Sequence, residues 1–337
     1  MKATLVAADG RAGCFVVLLS ESPIMPRPIA GVLPIAHTPF LDDDSIDFLS
    51  LQRQVDWAYE VGADGFGTGM VSELLRLTFD ERVALTEKLA EFNADRGVFF
   101  AGVGAESTQQ ALQFARLAER AGADAVMAIP PLASRLPVTA VRDYFVALAE
   151  GVSLPIIVQD ASGYVGQPIP IPVCVELLKR FGRDKILFKP EASPIGPNLS
   201  ALRDATGGEA RIYEGSGGVC LVDSFRRGIV GTMPGMEFLP GIVALWKALQ
   251  RGDDDATYRL YFPICALVSL QLQAGLDGFL AVEKYVLHKR GLFTTDRRRQ
   301  PNAWSLDDET RAELDRLMER LDLAVENASI VRDTRTS

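Results

Sequence analysis

The sequence predicts an α/β protein built as a (β/α)8 TIM barrel with a C-terminal helical extension. Between residues 31 and 233, eight short apolar runs of strand length alternate with helical patterns. Each run is apolar along nearly its whole length, which is typical of parallel strands that are covered on both faces. Eight such strands, each followed by a helix, favour a closed barrel over an open sheet.

The strand candidates and the helical patterns can be placed in order along the chain. The strand candidates are residues 32–36, 65–69, 98–103, 125–129, 155–158, 186–189, 211–213 and 229–233. Amphipathic patterns lie between them, and Thr78 with Glu81 forms the signature of a capped helix start. From residue 238 onward the pattern is wholly helical, over residues 238–250, 253–273, 279–289 and 307–326.

These patterns divide the 337-residue chain into three parts. Residues 1–28 are expected to form a flexible N-terminal extension, residues 29–250 the catalytic barrel and residues 251–337 a C-terminal helical region. A doubly wound sheet is the structural alternative. Its support is weak, because the turn Gly67-Thr68-Gly69 lacks the third glycine and the acidic partner of a dinucleotide-binding loop.

Composition limits the function classes that fit. A net charge of −9 argues against nucleic acid or an anionic membrane as the main partner. The four cysteines lie far apart without Cys-x-x-Cys spacing, which indicates buried thiols in a reducing, cytoplasmic compartment. No stretch is expected to reach transmembrane length. With two histidines and no Cys/His cluster, we expect no metal site.

The ends of the strands carry the chemistry in such a barrel. Lys189 closes the apolar run 186–189, and Glu191 follows two residues later. A desolvated lysine amine is a nucleophile for ketones, and a carboxylate two positions along the strand points to the same side. The alternatives are a lysine that extends to solvent and a simple ion pair that keeps the amine charged.

Other strand ends supply further candidates. His37 is interpreted as a polar residue of the rim, and Tyr164 as an exposed loop aromatic that can also cover the mouth. The glycine-rich turn 215–218 precedes a predicted helix and can present backbone N–H groups to an anion. The remaining candidates at strand ends are Val71, Ser72, Glu73, Gln159, Asp160, Glu214, Gly215 and Thr232.

Taken together, these residues resemble the dihydrodipicolinate synthase and N-acetylneuraminate lyase superfamily of Schiff-base aldolases and dehydratases. The resemblance spans roughly residues 29–300, and its carriers are residues 36–40, Gly69 with Glu73 and Leu77-Thr78, residues 101–104, residues 122–125, Pro130-Pro131, Phe188-Lys189 and Gly228 with Gly231. It implies that Lys189 forms an imine with a small 2-keto acid. It also implies a homotetramer or homodimer, and no cofactor, because the protonated imine itself accepts electrons.

The departures from this family are as informative as the matches. Met70 and Val71 stand where synthases and lyases carry two hydroxyl residues, so carboxylate binding would fall to Ser72 and backbone N–H groups. Leu132 replaces the usual phenol after the Pro-Pro pair. Gln159-Asp160 replaces the usual Tyr-Asn at the end of strand five. These changes argue against lysine biosynthesis and sialic acid cleavage.

The combination of Ser72-Glu73, residues 158–161 and Lys189-x-Glu191 resembles the branch that contains L-2-keto-3-deoxyarabonate dehydratase. The resemblance implies a hydro-lyase in which Lys189 attacks the C2 ketone, a base removes a C3 proton and the C4 hydroxyl leaves. Glu191 or Glu73, assisted by Asp160, would move the protons. The alternatives are an aldolase of the same family that makes or breaks a C–C bond with pyruvate, and a non-catalytic barrel that binds keto acids.

Overall fold

The computed structural model describes residues 27–333, so residues 1–26 of the predicted extension lie outside the described residues. In this range the chain alternates strands and helices and ends in a helical region. The strands are β1 Gly31–Val32, β2 Gly65–Gly67, β3 Val98–Gly102, β4 Ala125–Ala128, β5 Ile156–Asp160, β6 Ile186–Pro190, β7 Arg211–Glu214 and β8 Gly231–Thr232. The helices are α1 Phe48–Val61, α2 Phe79–Asn93, α3 Thr108–Ala121, α4 Val138–Gly151, α5 Ile171–Phe181, α6 Ile195–Ala205, α7 Leu221–Arg226, α8 Leu239–Arg251, α9 Asp254–Gln271, α10 Gly275–Lys289 and α11 Asp308–Asp333.

The eight strands form one parallel barrel, which confirms the predicted fold class. Their order is β1-β8-β7-β6-β5-β4-β3-β2, and a parallel bridge between Ile35 and Gly67 joins the two ends. β1 and β8 are only two residues long, because Pro34 and Pro234 follow them closely and lack the N–H that a ladder needs. The predicted helix start at Thr78 is also confirmed, with both bonds of the capping box present.

Side chains alternate between the barrel interior and the helix layer along each strand. The interior is filled by an apolar cluster that includes Phe100, Ile157 and Leu187. The next residues along these strands face outward, into a larger cluster between the barrel and the helices. This alternation decides which polar residue at each strand end reaches the barrel mouth.

The C-terminal helices are packed onto the barrel. α9 contacts α8 and α11, and α10 contacts α9 and the 3-10 turn Met70–Ser72 at the barrel mouth. The segment Asp254–Lys289 is long and apolar enough to cross a membrane, so the prediction that no stretch reaches that length was wrong. Length and composition alone are weak evidence for a span, and here the segment is two helices with three buried ionic residues, Asp277, Glu283 and Lys284.

One buried ion pair fastens α10 to the barrel. Lys284 Nζ lies 2.8 Å from Glu73 Oε1, and both side chains are fully shielded from solvent. Lys284 also donates to the backbone oxygen of Thr38, and its ammonium lies 4.6 Å from the centre of the Phe40 ring. Burial lowers the pKa of Lys284, while the charge of Glu73 acts to raise it. The pair therefore depends on both partners being present.

We expect the substitution Lys284→Met to lower the free energy of unfolding by about 3–5 kcal/mol, because it leaves the Glu73 carboxyl group buried and without its partner. Urea denaturation followed by circular dichroism measures this. The double variant Glu73→Gln/Lys284→Met should recover a large part of the loss. Equal stability of wild type and Lys284→Met would show that the pair does not fasten the helix.

Candidate active site

Lys189 lies near the C-terminal end of β6 and lines a narrow cavity at the mouth of the barrel. Its side chain is only 4% exposed, and Nζ lies 3.4 Å from Glu191 Oε1. Lys189 lies in β6 and Glu191 directly follows it, and both side chains point into the barrel mouth, as their spacing of two predicts. The lysine is therefore a buried amine beside a carboxylate, and it does not extend to solvent.

Gly215, at the end of β7, leaves the space that this pair occupies. A methyl group on Gly215 would lie 2.3 Å from Lys189 Cε and 2.4 Å from Glu191 Oε1. Such distances are well inside van der Waals contact, so no other residue fits here without moving the lysine. The predicted Gly215 thus borders the cavity through its lack of a side chain.

Glu191 is held by three neighbours. Gln159, which is the register partner of Lys189 on β5, donates from Nε2 to Glu191 Oε2 at 2.6 Å. Tyr164 shares a hydrogen bond with the same carboxylate. Burial raises the pKa of Glu191 above its ordinary value, although the charge of Lys189 acts in the opposite direction. Glu191 therefore holds a proton more readily than an exposed glutamate does.

Tyr164 is the site residue that the sequence interpretation underestimated. It lines the cavity in the loop between β5 and α5, and its ring lies 6.5 Å from that of Phe279 on α10. Burial, followed by the charge of Glu191, raises the pKa of the Tyr164 phenol well above 10.0. The phenol therefore stays protonated and can donate.

The loop that carries Tyr164 is folded back by Asp160 and Gly163. The two carboxylate oxygens of Asp160 accept from the backbone N–H groups of Ser162, at 3.0 Å, and Ile169, at 2.8 Å. A methyl group on Gly163 would lie 2.4 Å from the carbonyl oxygen of Glu191, so the loop rests directly on the β6 backbone. Asp160 thus faces away from the cavity and positions the loop.

Of the predicted site residues that follow β2, some line the cavity and others are buried in the core. Val71 lines the cavity, together with Met70. Ser72 is fully buried and braces the turn, because its hydroxyl accepts from Gly69 N and donates to the carbonyl of Ala36. Glu73 is turned toward Lys284 and accepts from the backbone N–H of Arg299 at 2.8 Å. The structure does not bring Glu73 or Ser72 to Lys189.

Glu214 and Thr232 also lie away from the cavity. Thr232 donates to Glu214 Oε2 at 2.7 Å, and the other oxygen of Glu214 accepts the N–H of Ser216. The carboxylate therefore occupies a backbone donor of the glycine-rich turn 215–218, where we expected an anion to bind. Residues 221–226 form the helix that follows.

His37 is fully buried, so its interpretation as a rim residue was wrong. It lies in a cluster with Glu237 and Glu283, whose ligand atoms are within 4.8 Å of one another and can in principle hold a metal ion. However, His37 Nε2 accepts from the N–H of Met236 at 3.1 Å, so the proton of the ring is on Nδ1. Neither ring nitrogen then offers a free lone pair, and the cluster does not fit a metal that needs this histidine.

The geometry combines a nucleophilic amine, a carboxylate that can exchange protons with it and a phenol that can donate to that carboxylate. These groups suit imine formation with a ketone followed by proton transfer at the neighbouring carbon. A second carboxyl group, that of Glu283, lines the same cavity from α10 together with Leu276 and Phe279. The helical region that we expected to lie outside the catalytic unit thus supplies part of its wall.

Comparison with known proteins found a family model that matches most of this chain. The dihydrodipicolinate synthetase family matches residues 28–321. L-2-keto-3-deoxyarabonate dehydratase of Azospirillum brasilense is 27% identical over 298 residues, which cover 87% of this chain and 94% of that protein. The 4-hydroxy-tetrahydrodipicolinate synthase of Methanosarcina mazei is 28% identical over 244 residues, which cover 71% of this chain and 81% of that protein.

A solved structure shares the same fold. The crystal structure of dihydrodipicolinate synthase from Rhodopseudomonas palustris superimposes with a TM-score of 0.78 at 31% sequence identity. The match covers 87% of this chain and 97% of that chain. It therefore includes the barrel and most of the C-terminal helices.

The close approach at Gly215 predicts the effect of a single methyl group. We expect Gly215→Ala to lower the rate of imine formation at Lys189 at least about 100-fold, since displacement of a reacting group by roughly 1 Å has an effect of this size. Borohydride trapping with pyruvate, quantified by intact mass, measures it. Ser216→Ala is the matched control and should label like wild type. Normal labelling of Gly215→Ala would show that the site tolerates the shift.

Proposed function

Since this chain belongs to the dihydrodipicolinate synthetase family, whose members are lyases, we propose that it is a Schiff-base hydro-lyase that dehydrates a 2-keto-3-deoxy sugar acid. The observation that carries the proposal is the buried pair of Lys189 and Glu191, 3.4 Å apart, on the wall of the cavity. Among residues 27–333, the Lys189 ammonium forms its one recorded ion pair with Glu191, the carboxylate that can accept its proton. The pair serves as a nucleophile with its base.

The proposed reaction begins when Glu191 accepts the proton of the Lys189 ammonium. The free amine attacks the C2 ketone. The carbinolamine hydroxyl then takes the proton back from Glu191 and leaves as water, which gives a protonated imine and restores the Glu191 carboxylate. Glu191 then removes a C3 proton, which is acidified by the imine, and the enamine expels the C4 hydroxyl. Tyr164 and Gln159 hold the Glu191 carboxylate in place for both transfers. Hydrolysis of the imine releases the product and restores Lys189.

Two features favour a dehydratase over a synthase. Met70 and Val71 border the cavity with apolar side chains, so the substrate carboxylate would be bound by backbone N–H groups of this turn. The polar groups lie instead around the reacting carbons, at Gln159, Tyr164 and Glu191. The relative from Azospirillum brasilense, which matches over nearly its whole length, is a dehydratase of a sugar acid of this class.

Two other functions use the same cavity. An aldolase of this family would form or cleave a C–C bond through the same imine, and it would release pyruvate from a keto sugar acid without loss of water. A non-catalytic barrel would bind a keto acid, and even form the imine, without turnover. Consumption of a panel of 2-keto-3-deoxy acids, followed by product analysis, separates the three.

The assembly is implied by the resemblance and the location by the cysteine pattern, and both stay predictions. A homotetramer or homodimer would cover apolar surface such as Phe262 of α9, whose neighbours Leu260 and Ile264 are buried against the chain's own helices. A cytoplasmic location agrees with the free thiols of Cys174, Cys220 and Cys265, although the latter two are partly exposed and were expected to be buried.

Trapping of the imine tests the proposed function. Wild type reduced with borohydride in the presence of L-2-keto-3-deoxyarabonate should carry an adduct that is one water lighter than the simple reduced imine. Pyruvate should give the simple adduct, and Lys189→Ala should give neither. Intact-mass spectrometry resolves these species.

Two results would contradict the proposal. Equal labelling of Lys189→Ala and wild type would place the reactive amine elsewhere. Wild type that labels but consumes no member of the panel would be a binding protein rather than a lyase.

The pH dependence of the reaction tests the role of Glu191. The carboxylate must be ionised to accept a proton, and burial raises its pKa above the ordinary 4.5. We therefore expect kcat/KM of the wild type to rise with pH through a midpoint above 4.5. The substitution Glu191→Gln should lower kcat by at least about 100-fold and remove that rise with pH. Glu87→Gln, an exposed change on α2, is the control. A full rate for Glu191→Gln would exclude this role.

A further inference from the structure

A second buried carboxyl group reaches the Lys189 cavity and has no part in the steps above. Glu283 of α10 is 1% exposed and lines the cavity. It lies on the same face of the helix as Leu276 and Phe279. Glu237, in the segment between β8 and α8, is 2% exposed and lies beside it. A methyl group on Gly235 would lie 2.1 Å from Glu237 Oε2 and 3.0 Å from Glu283 Oε1, so both carboxyl groups flank the same backbone position.

The partners of these carboxyl groups are too few for two negative charges. Glu237 Oε1 accepts from Gln271 Nε2 at 2.8 Å. Oε2 of Glu237 and Oε2 of Glu283 are buried without a hydrogen-bond partner among the described residues. His37 lies between them, with Nδ1 at 3.3 Å from Glu283 Oε2 and Nε2 at 3.7 Å from Glu237 Oε2.

His37 offers the two carboxyl groups a single ring N–H. Its Nε2 accepts the Met236 N–H, so it holds one proton, on Nδ1, which faces Glu283 and the carbonyl of Val71. Lys284, the next residue along α10, is turned to Glu73. A buried carboxylate next to another acid and without a counter-ion is disfavoured, so these surroundings favour the protonated form of Glu283.

Electrostatics agree with the geometry. Burial and then the charge of Glu237 raise the pKa of Glu283 well above 4.5, with Glu73 adding to the effect. Lys284 and Lys189 act to lower it but do not offset it. The Tyr164 phenol, which also faces Glu283, stays neutral. Glu283 therefore holds a proton more readily than an exposed glutamate does.

The two carboxyl groups of the cavity thus have opposite surroundings. Glu191 receives hydrogen bonds from Gln159 and Tyr164 and lies beside the Lys189 ammonium, all of which stabilise the ionised form. Glu283 faces another acid and has few donors. When two carboxyl groups in one site are held in opposite states, one is suited to act as a base and the other as an acid.

We propose that Glu283, in its protonated form, is the general acid that protonates the hydroxyl leaving from C4, and that His37 and Glu237 are its positioning residues. The inference rests on the proposed function. In this step the C4–O bond breaks with its electron pair, the oxygen takes the Glu283 proton and departs as water, and the enamine becomes a conjugated iminium ion. The C3 proton held by Glu191 returns to solvent, and Glu283 regains its proton from water before the next turnover.

The test compares Glu283→Gln, Glu191→Gln and Glu87→Gln in three measurements. The first is borohydride trapping with pyruvate. The second is exchange of the pyruvate methyl protons for deuterium, followed by NMR, which needs the imine and the C3 base but no leaving group. The third is dehydration of L-2-keto-3-deoxyarabonate, with and without EDTA.

We expect Glu283→Gln to form the imine and to exchange pyruvate protons within about twofold of wild type, while its dehydration rate falls at least about 100-fold. Glu191→Gln should lose both exchange and dehydration, and Glu87→Gln neither. Unchanged dehydration in Glu283→Gln would overturn the inference, and so would parallel loss of exchange and trapping. Loss of wild-type activity in EDTA would also overturn it, in favour of a metal at the cluster. Wild type that neither traps nor exchanges pyruvate would instead refute the proposed function itself.

Discussion

Lys189 and Glu191 are buried side by side at the end of β6, and the other residues at the barrel mouth are arranged around this pair. The ammonium and carboxylate lose their hydration, so every group around them must either supply a hydrogen bond or make room. Gln159 and Tyr164 supply bonds to Glu191, and Gly215 makes room for Lys189. Asp160 folds back the loop after β5, and this places the Tyr164 phenol beside Glu191.

Strand alternation explains how far sequence reasoning could go. Apolar runs of strand length and their spacing were sufficient for the barrel, and the spacing of two placed Lys189 and Glu191 on one side. The same rule, applied to every strand end, also selected Glu214 and Thr232, which the structure turns toward the helix layer. A position at the end of a strand shows that a residue lies at the C-terminal edge of the barrel. Whether its side chain faces the interior depends on the register with the neighbouring strands.

The residues that sequence reasoning missed reach the site through packing between distant segments. Tyr164 arrives through a loop whose path depends on Asp160 and Gly163, and Glu283 arrives from a helix that begins some forty residues after β8. A signal for Glu283 does exist, because it shares one helical face with Leu276 and Phe279 and is an acid within that apolar stripe. No local sequence pattern, however, predicts which surface of the protein this apolar stripe packs against.

Glu283 and Lys284 are neighbours on α10, yet one borders the reaction cavity and the other is bonded to Glu73. Successive residues of an α-helix are rotated by about 100° from one another, so the phase of this helix decides which sign of charge enters the cavity. Deletion of one residue in the turn at Leu272–Ala274 would put Lys284 in the place of Glu283, so that a cation would face Lys189 and the acid would be withdrawn. The length of that connection is therefore as much a determinant of the chemistry as any side chain in the barrel.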